Sequence, residues 1–329
     1  MRRNSDRFIH NIIYSNSSAG KNAEITDTAY LQKQLRKYKI RFFRVLFLFL
    51  AFLILVSVYI YLNYDYLVFK HLIAQNYIYT EALDQLYKEE LKRDINGKYY
   101  SFFDNLVIST MTKKIRELNN DRYTYQYIPE QYQQYKLEEM ETAALSEIQE
   151  LNDTTVLLRL TNFSSYTEKF MKNNYSILKK YPNIIIDLRD NYGGDINVMA
   201  RISDLFLPKG SIIATDKMRL FNRVYKAKTA KTLEYENIII LQNKNTASAS
   251  ENMIVALNEN LNNVTLIGEK TFGKGIGQFT LPLRRGFAVK ATVLLWYGPE
   301  GNNIHGYGIE PHIEYAGDDI IEFALSKIS

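Results

Sequence analysis

Four places in the chain hold residue types that can do chemistry. Asn245-Thr246-Ala247-Ser248-Ala249-Ser250-Glu251 offers hydroxyls, Lys274 lies between Gly273 and Gly275, Gln278 follows four residues later, and Gly193-Gly194 forms a glycine pair. A serine hydroxyl becomes a good nucleophile only when a base takes its proton. No G-x-S-x-G elbow is present, and His305 and His312 fall in a late loop region without a convincing serine partner. Lys274 is the better base. An amine accepts a proton only when neutral, so burial must lower its pKa from about 10.4 by several units. The flanking glycines let backbone come close, Phe272 can keep water away, and Gln278 can hold the amine without adding charge. The N–H groups of Gly193-Gly194 and of Ala249 can stabilise an oxyanion. Each feature also has a plainer reading. Ser248-x-x-Glu251 fits a capping box, a lysine between glycines fits a turn, and Gly-Gly fits a tight turn.

The elements that must position these residues are strands and helices in alternation. Ile238–Leu241 reads as a buried strand running into the Ser248 turn, and Met253, Ile254, Ala256, Leu257 and Leu261 have helical spacing after it. The small residues therefore fall between a strand end and a helix N-terminus, where free N–H groups and the helix dipole favour negative charge. Ile184–Leu188 is a second buried strand, leading into Arg189–Gly194 and then a helix through Leu205. Further strands are predicted at Val156–Leu160, Ile212–Ala214, Val264–Ile267, Gln278–Leu281 and Ala288–Leu295, with a helix over Tyr166–Leu178. This alternation predicts an α/β domain with a largely parallel sheet over residues 151–329. Residues 63–150 read as a small helical region. Its expected helices are Tyr79–Leu91, Phe102–Leu118 and a polar one from Pro129 to about Ile148, with a turn at Asn96-Gly97.

The N-terminal part is of another kind. Residues 1–44 carry ten Lys/Arg against three Asp/Glu, about +7, whereas the formal charge of the whole chain is +5. The remainder is thus about −2, which argues against a nucleic-acid partner. Val45–Leu62 is almost continuously apolar, and Tyr59, Tyr61 and Tyr64 fit an interfacial belt. A single transmembrane helix over 45–62 is expected, anchored in membrane lipid, with residues 1–44 cytoplasmic and the C-terminal body outside. The apolar run begins some forty residues in and no A-x-A site follows, so a cleaved signal peptide fits poorly.

Composition removes several chemistries. There is no Cys, hence no thiol nucleophile, disulfide or Cys-ligated zinc, and the four histidines form no H-E-x-x-H. No metal or cofactor is expected. The glycines fit no G-x-G-x-x-G, and Asp195 would sit where a pyrophosphate should be, so a dinucleotide site is set aside.

Taken together, the order of these motifs resembles one family. Asp187-Leu188-Arg189-x-Asn191-x-Gly193-Gly194 is followed by Thr246-Ala247-Ser248-Ala249-Ser250-Glu251, then by Gly268-x-x-Thr271-Phe272-Gly273-Lys274-Gly275-x-x-Gln278. That order, with Tyr297-Gly298-Pro299, Gly308-Ile309-Glu310-Pro311, Asp121-x-Tyr123 and Pro129-Glu130-x-Tyr132, is similar to the C-terminal processing (tail-specific) serine peptidases over most of residues 76–315. The resemblance implies a Ser248 nucleophile, a Lys274 general base oriented by Gln278, and an oxyanion hole of the Ala249 N–H with a glycine N–H, Gly194 rather than Gly193. It implies the spiral β/α core of the crotonase and Clp-type peptidases, and a protein or peptide substrate outside a bacterial membrane. It leaves open whether copies of the chain associate. Members usually carry a PDZ module, for which no space remains between the helix near Ile148 and the strand at Val156. Arg122 and His312 stand where Pro and Asp are more usual, and the Ser248-to-Lys274 interval is one residue longer than usual. The other reading is a catalytically idle relative that binds peptides or acts as a scaffold. A crotonase-like acyl-CoA enzyme is disfavoured by an exported domain.

Overall fold

Three short runs rich in Ile, Val and Leu form the centre of the fold. In the computed structural model, which describes residues 20–79, 104–229 and 233–328, they are β3 (Thr155–Arg159), β4 (Asn183–Asp187) and β7 (Asn237–Gln242). Ile184, Ile185 and Ile186 are all 0% exposed, so both faces of β4 are covered. Each such side chain contributes roughly 1.5–3 kcal/mol by leaving water. This is the continuous apolar pattern expected of a parallel strand between two helix layers.

The first sheet has the order β11 (Ile313–Glu314), β8 (Val264–Gly268), β7, β4, β3, β2 (Glu147–Asn152). Every pairing is parallel except β2 with β3. One face is covered by α4 (Ser165–Leu178), α5 (Ile196–Ser203) and α6 (Ala249–Asn260), through side chains such as Met171, Met199 and Met253. The other face packs on α7 (Ile320–Leu325) through Ile320 and Ala324. Side-chain caps start two of these helices. Ser164 accepts from Thr167 N, and Asp195 accepts from Asn197 N (2.7 Å).

A second, antiparallel sheet departs from the expected single parallel one. Its order is β1 (Tyr125–Tyr127), β10 (Ala288–Tyr297), β5 (Ile212–Met218), β6 (Asn222–Lys226), with β9 (Ile276–Pro282) also on β10. Sequence periodicity reports that a segment is a strand, not which strand it pairs with, so two sheets read as one. β6 lies at an edge and is mostly exposed, so it carries no apolar alternation to reveal it.

Upstream, α1 (Gly20–Asn76) is one continuous helix of 57 residues. Its apolar stretch is uncovered, with Phe47 70% and Leu55 68% exposed. The chain divides into two compact units, 1–62 and 63–329. Within the second unit, Phe69, Leu72 and Ile73 join a core with α2 (Asp104–Leu118) and with Val289, Val293 and Trp296 of β10. The expected boundary at 150/151 falls inside β2. The polar helix, α3 (Pro129–Ala143), ends before Ile148. Glu147–Asn152 instead pairs with β3, whose ladder satisfies backbone groups of a segment with little apolar surface to bury. The predicted helix Tyr79–Leu91 and the Asn96-Gly97 turn lie beyond Tyr79 and thus outside the described residues.

Candidate active site

Strands β4, β7 and β8 are consecutive neighbours and all parallel, so their C-terminal ends emerge at one edge of the sheet. The loops that follow them are the three chemically unusual ones, carrying Gly193-Gly194, Ser248 and Lys274 respectively. Open α/β sheets place ligand sites at such an edge.

Ser248 sits between β7 and α6 with φ 61° and ψ −118°, backbone angles a non-glycine residue rarely adopts. Such strain persists only where the surroundings over-determine it, and here they do. Ala247 N–H and Ser250 Oγ both donate to Asn191 O (3.0 and 2.9 Å), and Thr246 Oγ1 donates to Leu188 O (2.9 Å). Half of the capping-box reading holds. Ser248 N–H donates to Glu251 Oε2 (2.8 Å), while the Ser248 hydroxyl makes no capping hydrogen bond. Ser250 is held by its bond to Asn191.

Glu251 does more than cap. Its fully buried carboxylate also accepts from Thr271 Oγ1 (2.6 Å), Gly273 N (2.6 Å) and Lys274 N (2.8 Å). Burial pushes this carboxyl up and those hydrogen bonds pull it back. One side chain thus joins the serine turn to the lysine loop.

The glycine loop closes on the same turn. A Cβ on Gly193 would meet Ala247 O, Ala249 N and Ser248 Cβ at 2.8–2.9 Å, and one on Gly194 would meet Phe163 O at 2.2 Å. Gly193 N–H is already engaged with Asn191 Oδ1 (2.9 Å). Among the described residues, the N–H groups of Gly194 and Ala249 carry no hydrogen bond.

Lys274 is largely enclosed. Burial first, and then the charge of Lys290, lower its amine to about 8, with Glu251 acting in the opposite direction. At pH 7.4 such an amine is neutral about one time in five, against about one in a thousand at its ordinary pKa. The Tyr123 ring lies 5.2 Å from Nζ. Phe272, expected to keep water out, is 43% exposed and instead stacks near the Arg122 guanidinium (5.1 Å). Gln278 Nε2 donates to Tyr123 O (2.5 Å), which leaves Oε1 as the atom able to accept from an amine. No hydrogen bond joins Ser248 to Lys274 among the described residues.

Ser248, Ala249, Gly193, Gly194, Lys274 and Gln278 all line one cavity of about 580 Å³. His305 and His312 do not. The His305 ring lies beside Tyr123 (6.3 Å between centroids), and His312 Nδ1 accepts from Leu266 N. Sequence reading missed Lys290, Asp216 and Asn252, which line the same cavity from β10, β5 and α6. The available signal was weak. Asn252 is a polar residue inside an apolar helical pattern, and Lys290 and Asp216 sit within strands of β-branched and aromatic residues.

The chain is similar in sequence to known peptidases. The family profile described as peptidase family S41 matches residues 154–315. The carboxy-terminal processing protease CtpA of Bacillus subtilis is 36% identical over 160 residues, covering 48% of this chain and 34% of that protein. A carboxy-terminal-processing protease of Bartonella bacilliformis is 36% identical over 167 residues, covering 47% of this chain and 37% of that protein. The chain thus matches about a third of the length of these relatives. A lipoprotein from Streptococcus agalactiae shares the fold at a TM-score of 0.61 and 16% identity, over 80% of this chain and 94% of that one. Residues 154–315, which carry the serine, lysine and glycine loops at one sheet edge, are similar to peptidase family S41 and to carboxy-terminal processing proteases.

Proposed function

We propose that this chain is a membrane-anchored serine endopeptidase acting on exported proteins or peptides through a Ser248–Lys274 dyad. One observation carries the reading. A serine held in a strained turn, with its hydroxyl free of capping duty, shares a cavity with an amine whose pKa is lowered to about 8. Neutral Lys274 takes the Ser248 proton, and Oγ attacks the scissile carbonyl. The N–H groups of Gly194 and Ala249 receive the oxyanion, the Gly193 N–H being already engaged. Lys274 then passes its proton to the leaving amine, and water hydrolyses the acyl-enzyme. Gln278 Oε1 orients the lysine. The core is read as the spiral β/α type of the crotonase and Clp-type peptidases, in a member without a PDZ module.

The anchor reading rests on Val45–Leu62. Eighteen helical residues span about 27 Å, close to the ~30 Å hydrocarbon core, and their apolar side chains are exposed. The basic residues before them support a cytoplasmic N-terminus with the catalytic unit outside.

With unfolded casein as substrate, Ser248→Ala and Lys274→Ala are each expected to lower turnover by about 10⁴-fold or more. Cleavage unchanged in either variant overturns the dyad. A second reading, an idle peptide-binding relative, is favoured by the absence of a Ser248–Lys274 hydrogen bond. A fluorophosphonate probe separates the two, since labelling that Ser248→Ala abolishes requires an activated serine.

A further inference from the structure

The cavity continues past Ser248 to a polar floor. Asn252 lies on α6 four residues beyond Ser248, about 6 Å further along the helix axis, and is 0% exposed. Neither its Oδ1 nor its Nδ2 has a hydrogen-bond partner among the described residues. Asp216 on β5 is 1% exposed, and its Oδ1 is likewise without a partner. Both line the cavity that holds Ser248 and Lys274. Leaving a buried polar atom unpaired costs about 1–3 kcal/mol, so two such side chains facing one cavity form a site awaiting a donor-rich group.

The neighbours define what fits. Asp216 is paired in register with Trp296 on β10 and with Arg223 on β6, so these side chains share a sheet face. Arg223 does not neutralise the carboxylate. It is exposed, donates to Tyr225 Oη (3.2 Å), and forms no ion pair with Asp216 among the described residues. Burial pushes the Asp216 carboxyl up to about 6, while the Tyr225 hydroxyl and Arg223 pull it down. At neutral pH it is therefore mostly ionised, and a cation placed beside it recovers part of the burial cost. The apolar walls, Trp296, Leu294 and Met218, suit an aliphatic stem rather than a second polar group.

We infer that Asp216 and Asn252 form the floor of a specificity pocket that takes a lysine or arginine side chain from the residue supplying the scissile carbonyl. With that carbonyl between Ser248 Oγ and the Gly194 and Ala249 N–H groups, its own side chain is the one nearest the first turn of α6. A long basic side chain spans the single turn from Ser248 to Asn252, its stem against the apolar walls and its head on the two floor residues. The inference rests on the peptidase reading above and deepens it.

The test is a proteome-derived peptide library digested by the full-length protein in detergent micelles, with cleavage sites read by mass spectrometry. Sites following Lys or Arg are expected to exceed those following Leu or Val by about tenfold or more. In matched synthetic peptides differing only at that residue, Asp216→Asn is expected to lower kcat/KM for the Lys peptide by about tenfold or more while changing the Leu peptide less than about threefold. Asn252→Leu shifts preference in the same direction. Wild-type cleavage that depends on Ser248 but follows apolar residues overturns this inference and leaves the peptidase reading standing. The absence of any Ser248-dependent cleavage overturns both. The wild-type profile needs no variant to fold.

Discussion

In the proposed dyad, the protonation of Lys274 decides when Ser248 can react. Its amine must be neutral to accept the hydroxyl proton, so kcat/KM is expected to rise with pH through a limb near 8, the value to which burial and Lys290 lower it. Below that limb the ammonium has no lone pair to offer. Lys290→Gln removes a like charge, which raises the Lys274 pKa and moves the limb to higher pH, so that activity at pH 7 falls. Lys290→Arg keeps the charge and should leave the limb in place. pH–rate profiles of the full-length protein check both. Glu251 acts on the proton, its charge raising the Lys274 pKa, and also on geometry. Its carboxylate receives four hydrogen bonds, three from backbone N–H groups and one from Thr271. Glu251→Ala leaves those buried donors without an acceptor, at about 1–3 kcal/mol each. A loss of ~3 kcal/mol or more in urea unfolding is expected, with loss of Ser248 labelling because the serine and lysine loops come apart.

At the level of elements, three neighbouring parallel strands aim their loops, and glycine lets one loop approach another. Gly194 has φ 146°, and an added methyl would lie 2.2 Å from Phe163 O. Gly194→Ala must therefore shift the backbone whose N–H is read as an oxyanion donor. Loss of one such donor typically costs about 10²–10³ in kcat, and KM should change far less. Steady-state kinetics on one peptide substrate separates the two parameters. A drop in KM affinity with kcat preserved would move the donor role to another group.

The whole molecule combines a catalytic unit with an apolar helix whose side chains are uncovered by protein. A membrane is the cover proposed for Val45–Leu62, and on that proposal Leu53→Arg near its middle should cost roughly 2.5–3.5 kcal/mol of insertion. The variant is expected to move from the membrane pellet to the alkaline-extractable fraction. Because the chain contains no Cys, single cysteines report topology directly. Ser326→Cys should react with a membrane-impermeant maleimide on intact cells, and Lys33→Cys only after lysis. Labelling in the reverse order would invert the orientation.

By itself the sequence determined the chemistry-bearing residues, the apolar helix and most strands, because these are local properties of residue type and of hydrophobic period. The order of Ser248, Lys274, Gln278 and Gly193-Gly194 was visible before any fold was known, as was the need for a lowered lysine pKa. What only the tertiary structure decided is what lies beside what. β4, β7 and β8 are far apart in the chain, and their adjacency comes from sheet pairing that no local pattern encodes. The antiparallel second sheet, the Glu251 bridge between loops, the Lys290 charge near Lys274 and the unpaired floor of Asp216 and Asn252 all arise across that pairing. Each depends on burial, and burial is settled by how the strands and helices assemble.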